Sequence, residues 1–233
     1  MSPIHIYHLN TQLFSCLDSD YFDCLKDADW LRVRALRHDT DQQARQLAYA
    51  TAYWLLQAHT ALSAAALEFE HDTFGKPFVP QLAVQPVWHI NLSHSNRQIT
   101  IAIAQTPVGV DIEAHQEIEL QSIITHYFPN DPWRAGDLVS LYNLWVCKEA
   151  LLKAQGIGLR IELKSVVLRE PSSCFTHVLN GPAELSLEKY AYALVECPEH
   201  YSCAVAIYGS EPTLQTQTLD LTQLHALSKL TNP

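Results

Sequence analysis

Asp111 and Glu113 stand two residues apart in the run Val108-Gly109-Val110-Asp111-Ile112-Glu113, alternating with Val110 and Ile112. That alternation constrains the fold more than any other feature of the chain. Side chains two apart on a strand share a face, so the valine and isoleucine enter a core while both carboxylates emerge together on the opposite side. About 35 residues on, Trp145-Val146-Cys147-Lys148-Glu149-Ala150-Leu151-Leu152-Lys153 reads as a helix. Glu149 and Lys153, four apart, share one of its faces. Three carboxylates and a lysine brought together suit a hard divalent cation holding a phosphate. Magnesium takes a few carboxylate oxygens, keeps waters, and accepts substrate phosphates for the rest.

The remaining pattern places these segments. Thr40, with Gln43 three residues on, predicts a helix N-terminus of the capping-box kind, running to about His59. Leu67–His71 alternates like a strand, and Phe74-Gly75-Lys76-Pro77 reads as a turn. Val87–Leu92 and Ile99–Ala104 predict a hairpin about the polar stretch Ser93–Arg97. Helices are predicted over Leu120–Tyr127 and Asp137–Gln155, the second stopped by Gly156 and Gly158. Strands are predicted over Ile161–Leu168, Cys174–Leu179, Tyr190–Glu196 and Ser202–Tyr208.

The hairpin Val87–Ala104 resembles Tyr190–Ile207 in length and apolar pattern, and each follows a main helix, although identity between them is negligible. The expected fold class is α+β, with two halves of similar build, each a small antiparallel sheet packed against helices. The halves are expected at 1–106 and 107–233, divided near Gln105–Pro107, with a polar, Thr/Gln-rich and peripheral tail from about residue 210.

Composition excludes several classes. At 233 residues and 48% hydrophobic, the chain can bury a sizeable core. Six cysteines form no CxxC pair and twelve histidines form no HExxH, so reduced thiols in a cytoplasmic protein are expected rather than a disulfide framework or zinc site. The start MSPIHIYHLN has neither a basic beginning nor a long apolar core, so no signal peptide is expected. No apolar run approaches the roughly 20 residues of a membrane helix, so no membrane partner is expected. A formal charge of −10 argues against nucleic acid. Four of the cations, Arg32, Arg34, Arg37 and Arg45, lie close together in sequence. They are either a solvated helix face or a phosphate-binding cluster, since Arg forks match phosphate oxygens. Lys148 falls on the helical stripe of Leu141, Leu144 and Leu152, an odd place for a solvated lysine, and a role near the site is expected for it.

Four motifs stand in order: Gly75-Lys76-Pro77, Asn91-Leu92-Ser93-His94-Ser95, Gly109-Val110-Asp111-Ile112-Glu113, and Trp145-x-x-Lys148-Glu149-Ala150-x-x-Lys153. Each alone is weak. The ordered set, over roughly residues 30–168, resembles the Sfp-type 4′-phosphopantetheinyl transferases. The resemblance implies transfer of the 4′-phosphopantetheine arm of coenzyme A to a serine of an apo acyl or peptidyl carrier protein, releasing adenosine 3′,5′-bisphosphate. It implies a pseudo-dimer of two α+β halves, sufficient as a monomer, with the active site in the cleft between them. By the same resemblance Asp111, Glu113 and Glu149 hold magnesium and Lys153 contacts the diphosphate, while an ion pair between Glu149 and Lys153 remains a compatible reading. Ser93 and His94 match a phosphate-contacting pair. Gly75, Lys76 and Pro77 match a loop around the adenine and 3′-phosphate. Arg45 matches a helix arginine near the 3′-phosphate, and Arg32 is a looser match.

One departure from the family bears on mechanism. Many bacterial relatives carry a glutamate, assigned as general base, where this chain has Pro132, in Tyr127-Phe128-Pro129-Asn130-Asp131-Pro132-Trp133. Glu149, Asp131 or a water on the metal remain as bases. Two other classes stay open: a coenzyme A-binding module without transfer activity, and a metal-dependent phosphohydrolase acting on nucleotide-like substrates.

Overall fold

In the computed structural model, residues 2–73, 75–83, 86–116, 126–133, 137–157, 161–209 and 212–230 are described. The apolar alternation after Trp88 forms a hairpin of β4 (His89–Ser95) and β5 (Gln98–Ala104). Its strands run further than their apolar cores, so the turn shrinks to Asn96-Arg97, with Asn96 at φ 51°. Strand β5 pairs antiparallel with β1 (Ile4–Asn10). Helix α1 (Asp27–Arg34) is short, and α2 (Asp39–His59) is the long helix of this half. Ala44, Leu47 and Leu55 of α2 pack against Ile90, Ile99, Ile101 and Ile103 of the hairpin. The predicted capping box at Thr40 is not formed. The helix starts at Asp39 with His38 as N-cap and no side-chain cap.

The second sheet has the order β6-β9-β8-β7: β6 (Val108–Ala114), β9 (Tyr201–Tyr208), β8 (Tyr190–Leu194) and β7 (Thr176–His177). All its pairs are antiparallel. Helix α3 (Leu138–Gln155) covers one face, with Val146, Ala150 and Leu151 packed against Tyr192, Ala204 and Ala206. Asp137 caps its start, accepting from Ser140 N at 3.1 Å, and Gly156, at φ 86°, closes its end. The two sheets meet through a shared apolar layer. Ile4, Ile6, Ala102 and Ala104 face Val110, Ile112, Val205 and Ile207. Hydrophobic burial on both faces of each sheet explains why these strands read as near-continuous apolar runs. The architecture is α+β, with helix, sheet, sheet and helix in layers.

Several expectations change. The strand predicted over Leu67–His71 shortens to β2 (Glu70–His71), paired with β3 (Pro77–Phe78), because Leu67 and Phe69 are drawn into the core around α2. Ile161–Leu168 is not a strand: Leu163–Ser165 is a 3₁₀ turn, and Val167 makes one isolated bridge to Asn180. The predicted helix over Leu120–Tyr127 lies mostly outside the described residues, as does Gly158. The chain beyond 210 does not hang free. Strand β10 (Leu214–Thr218) pairs parallel with β1, extending the first sheet to β10-β1-β5-β4, and α4 (Leu221–Ser228) follows. Leu219 and Leu224 enter the core around α2, and Gln57 donates to the Leu230 carbonyl. The tail therefore completes the half that the chain began with. Its polar composition hid this, because an edge strand buries little.

Candidate active site

The stripe Asn91, Ser93, Ser95 on β4 fastens the two halves together. Asn91 Oδ1 accepts from Val110 N at 2.8 Å, Ser93 Oγ from Ile112 N at 3.4 Å, and Ser95 Oγ from Ala114 N at 3.1 Å. Both partners advance two residues at a time, so side chains of β4 satisfy the backbone of β6 where a neighbouring strand otherwise would. The hydroxyls then turn to the carboxylates. Ser93 Oγ donates to Asp111 Oδ1 at 2.8 Å, and Ser95 Oγ to Glu113 Oε2 at 2.7 Å. His94 and Leu92, on the alternate stripe, line the cleft.

Gly109 brings the helix to the strand. A Cβ there would overlap the Ala150 carbonyl oxygen, Ala154 N and Lys153 C, so only glycine lets α3 lie this close to β6. The close approach puts Lys153 Nζ 2.6 Å from Asp111 Oδ1 and 3.0 Å from Ser93 Oγ. An ion pair between Lys153 and Glu149, a compatible reading of their i,i+4 spacing, is not made. Burial, reinforced by Asp111, raises the Glu149 carboxyl to about 7, with Lys153 opposing. Burial also raises Glu113, against the bond from Ser95.

Two buried oxygens near this point have no hydrogen-bond partner, Asp111 Oδ2 and Glu149 Oε1. Unpartnered buried carboxylate oxygens are costly and call for a cation or a proton. Among the described residues, no three His, Cys, Asp or Glu side chains are gathered tightly enough to hold a metal ion as they stand. The Lys153 ammonium lies on the Asp111 oxygen instead. The donor set nevertheless fits magnesium. That ion needs only one or two protein carboxylates and draws its other ligands from water and phosphate.

A cleft of about 400 Å³ opens beside this group. Glu149, Lys153, Ser93 and His94 lie along it, with Lys76 flanked by Gly75 and Pro77, and Arg45 and Arg32 across from them. These are nine of the twelve residues singled out from sequence. Asp111 stands behind the wall, reaching it through Ser93 and Lys153, while Glu113 is bonded to Ser95 outside the lining. Of the arginine cluster, Arg32 and Arg45 face the cleft, whereas Arg34 lies 5.8 Å over the Trp30 ring and Arg37 is exposed. The cluster is therefore divided, two members bordering the cleft and two lying outside its lining. Desolvation, then the Arg45 charge, lowers the pKa of His94. Lys76 Nζ donates to Ala154 O at 3.1 Å and Val108 O at 3.4 Å, tying its loop to the end of α3, and burial lowers its pKa to about 8.

Tyr49, His71 and Gly156 also line the cleft and were not expected there from sequence. Tyr49 lies one turn beyond Arg45, whose guanidinium is 6.0 Å from its ring, and Tyr49 Oη is 3.2 Å from His71 Nε2. Burial and then the charges of Arg32 and Arg45 hold His71 down to about 4, keeping it neutral. Gly156 was read only as the stop of α3. The i,i+4 spacing of Arg45 and Tyr49 was the one signal available for Tyr49.

Lys148 is a correction. It does not face the cleft but is fully buried, with Nζ 2.6 Å from Asp131 Oδ2, 3.0 Å from Leu163 O and 3.3 Å from Tyr127 O. Its three donors are filled, leaving none for a substrate. The apolar stripe that made it conspicuous marked burial instead. Asp131 is equally committed, since its other oxygen accepts from Leu168 N at 2.9 Å.

Comparison with known proteins places the chain among relatives. Residues 107–206 match the model of the 4′-phosphopantetheinyl transferase superfamily. The chain is 28% identical over 191 residues to the 4′-phosphopantetheinyl transferase ffp of Bacillus subtilis, covering 78% of this chain and 75% of that one. It is 29% identical, with the same coverage, to the 4′-phosphopantetheinyl transferase Sfp of Bacillus subtilis strain 168. To psf-1 of Bacillus pumilus it is 31% identical over 66% of this chain and 61% of that one. These similarities mark the chain as a phosphopantetheinyl transferase. The chain belongs to the 4′-phosphopantetheinyl transferase superfamily and is of the Sfp type. Among the described residues, no helix is long and apolar enough to cross a membrane.

Proposed function

We propose that this chain moves the 4′-phosphopantetheine arm of coenzyme A to a serine of an apo acyl or peptidyl carrier protein, with magnesium, releasing adenosine 3′,5′-bisphosphate. One observation carries the reading: a single cleft is lined by Arg32, Arg45, Lys76 and Lys153 and by Glu149, whose buried Oε1 has no partner, with the partnerless Oδ2 of Asp111 close behind its wall. Coenzyme A offers both a nucleotide 3′-phosphate and a diphosphate to such a cleft. Arg45, Arg32 and His94 suit the nucleotide end, with the Gly75-Lys76-Pro77 loop beside it. Asp111, Glu113 and Glu149 would hold the magnesium, which would offset charge on the diphosphate as the leaving phosphate departs.

Lys153 in this reading exchanges its bond to Asp111 for one to the diphosphate. The serine proton needs an acceptor within hydrogen-bond reach. Pro132 has no group to offer and Asp131 is bound to Lys148. Glu149 borders the cleft and is the acceptor in this reading; in the protein without metal, burial raises its carboxyl to about 7. We read the two halves as a pseudo-dimer with the site between them, so one chain suffices. The shared strand order, β1-β5-β4 in one and β6-β9-β8 in the other, supports this. All six cysteines are free thiols, which supports a cytoplasmic location.

Incubation with coenzyme A, magnesium and a panel of apo carriers, read by mass spectrometry, tests the proposal. A carrier should gain the arm, and the 3′,5′-bisphosphate should be released only when an apo carrier is present. Release without any carrier identifies a hydrolase and overturns the reading.

A further inference from the structure

The proposed chemistry leaves one buried charge pair unused. Lys148 and Asp131 both have side chains with no exposure. Such a pair gives little stability over an apolar pair of the same size, because desolvation offsets the attraction. What this one does is join segments. It holds Tyr127 O and Leu163 O through Lys148, and Leu168 N through Asp131, with the Phe128 ring 4.6 Å from the ammonium. Residues 127 and 131 precede α3 and residues 163 and 168 follow it, so two stretches of chain are fixed to one turn of helix.

Tyr127 and Leu163 also border a second cleft of about 230 Å³, together with His126, Trp145, Ile161 and the ion-paired Glu162 and Lys164. Trp145, Glu149 and Lys153 are spaced four apart and lie along one side of α3. Trp145, on the border of the second cleft, is therefore about one helical turn from Glu149 on the same side of α3. The second cleft is largely aromatic and aliphatic where the first is cationic. We propose that Lys148 and Asp131 are positioning residues for the transfer. Their bond sets the separation of the Tyr127 and Leu163 walls, and with it the approach of the acceptor serine to Glu149. The inference rests on the function proposed above.

Two variants test it: the paired replacement Lys148→Met with Asp131→Leu, and Asp131→Glu alone, which keeps the charges but lengthens one arm. Melting temperature, coenzyme A affinity, amide hydrogen exchange, and kcat and KM for an apo carrier are measured. The paired variant should melt near the wild type and bind coenzyme A within about twofold. Exchange should quicken at 126–131 and 161–168, and kcat/KM for the carrier should fall at least about tenfold. Asp131→Glu should fall between the two. Wild-type kcat/KM in the paired variant, or in Asp131→Glu if the pair fails to fold, reduces the bond to a structural one and overturns the proposal. A loss confined to coenzyme A binding also overturns it. Unchanged exchange at both walls does so even if the wild type proves to transfer nothing, an outcome that would separately sink the functional reading.

Discussion

Helix α3 carries two lysine–aspartate pairs, Lys148–Asp131 and Lys153–Asp111, each at 2.6 Å. Distance does not separate them, but their surroundings do. The first pair has no exposure, and every donor of its lysine is filled. The second has a lysine side chain 27% exposed, bordering the cleft, and an aspartate whose other oxygen has no partner. A satisfied pair is a finished structure, whereas a pair with an unused oxygen and an open side is poised to exchange partners. Of the two, only the Lys153–Asp111 pair is free to take part in chemistry.

The largest effect should come from breaking the closed pair on one side. Lys148→Met leaves Asp131 buried with no opposite charge, which costs roughly 3–5 kcal/mol. Thermal melting should drop by about 10 °C or more, at some 2–4 °C per kcal/mol for a chain of this size. A melting point within a degree or two of the wild type would show that the pair is not closed in solution.

Next in size is a loss in rate at the open end. Glu149→Gln keeps the shape but removes the proton acceptor, and at saturating magnesium kcat should fall at least about 100-fold, the lower end for general-base loss, or about 2.7 kcal/mol of barrier. Asp131→Asn should lose stability instead, while its folded fraction turns over within about tenfold of the wild type. The reverse ranking, per folded molecule, would return the base to the 127–133 turn.

The sequence singled out both members of the open pair, though not their bond, and disguised the closed pair, for one physical reason. Period-2 alternation put Asp111 and Glu113 on one face, and the i,i+4 rule put Glu149 and Lys153 on another, so these residues were conspicuous from local geometry alone. The partner of Lys148 lies 17 residues away through a turn with no periodicity. Its apolar stripe signalled burial, but burial alone does not say whether a charge serves a site or a core. Asn91, Ser93 and Ser95 were half readable. Their alternation with Leu92 and His94 was visible, but that they would bond the backbone of β6 depends on two strands meeting edge to edge. Gly109 was read only as part of a motif, because its need for closeness appears once α3 is laid across it. The tail was missed because β10 is mostly exposed, and only Leu219 and Leu224 bury deeply.

The pH dependence of the metal-free protein sharpens the contrast further. Glu149 titrates near 7 in the folded chain, above its usual 4.5, because burial and Asp111 disfavour its charge. A raised carboxyl pKa contributes stability that is complete below the unfolded pKa and is lost as pH climbs through the folded one. With metal chelated, stability should therefore fall between about pH 5 and 8, by on the order of 2–3 kcal/mol at 1.36 kcal/mol per unit. Glu149→Gln should flatten this slope, as read by denaturant titration at each pH. A slope equally steep in the variant would place the buried titration elsewhere.

The smallest expected change concerns Lys153. Its removal leaves Asp111 with the bond from Ser93, and part of the site faces solvent, so Lys153→Met should cost about 1 kcal/mol, nearer the value of exposed pairs than of buried ones. The informative quantity is the response to magnesium. A ligand that binds only the folded state stabilises it in proportion to the logarithm of its concentration over its Kd. Without the ammonium on Asp111 Oδ1, the ion faces no competitor there. Millimolar magnesium should therefore raise the melting temperature of Lys153→Met more than that of the wild type, and cancel most of the loss. Lys148→Met should gain no more than the wild type gains, since Asp131 lies apart from the cleft. Equal gains in the two lysine variants would mean that magnesium does not meet Asp111, and the distinction between an open and a closed pair on α3 would fall with it.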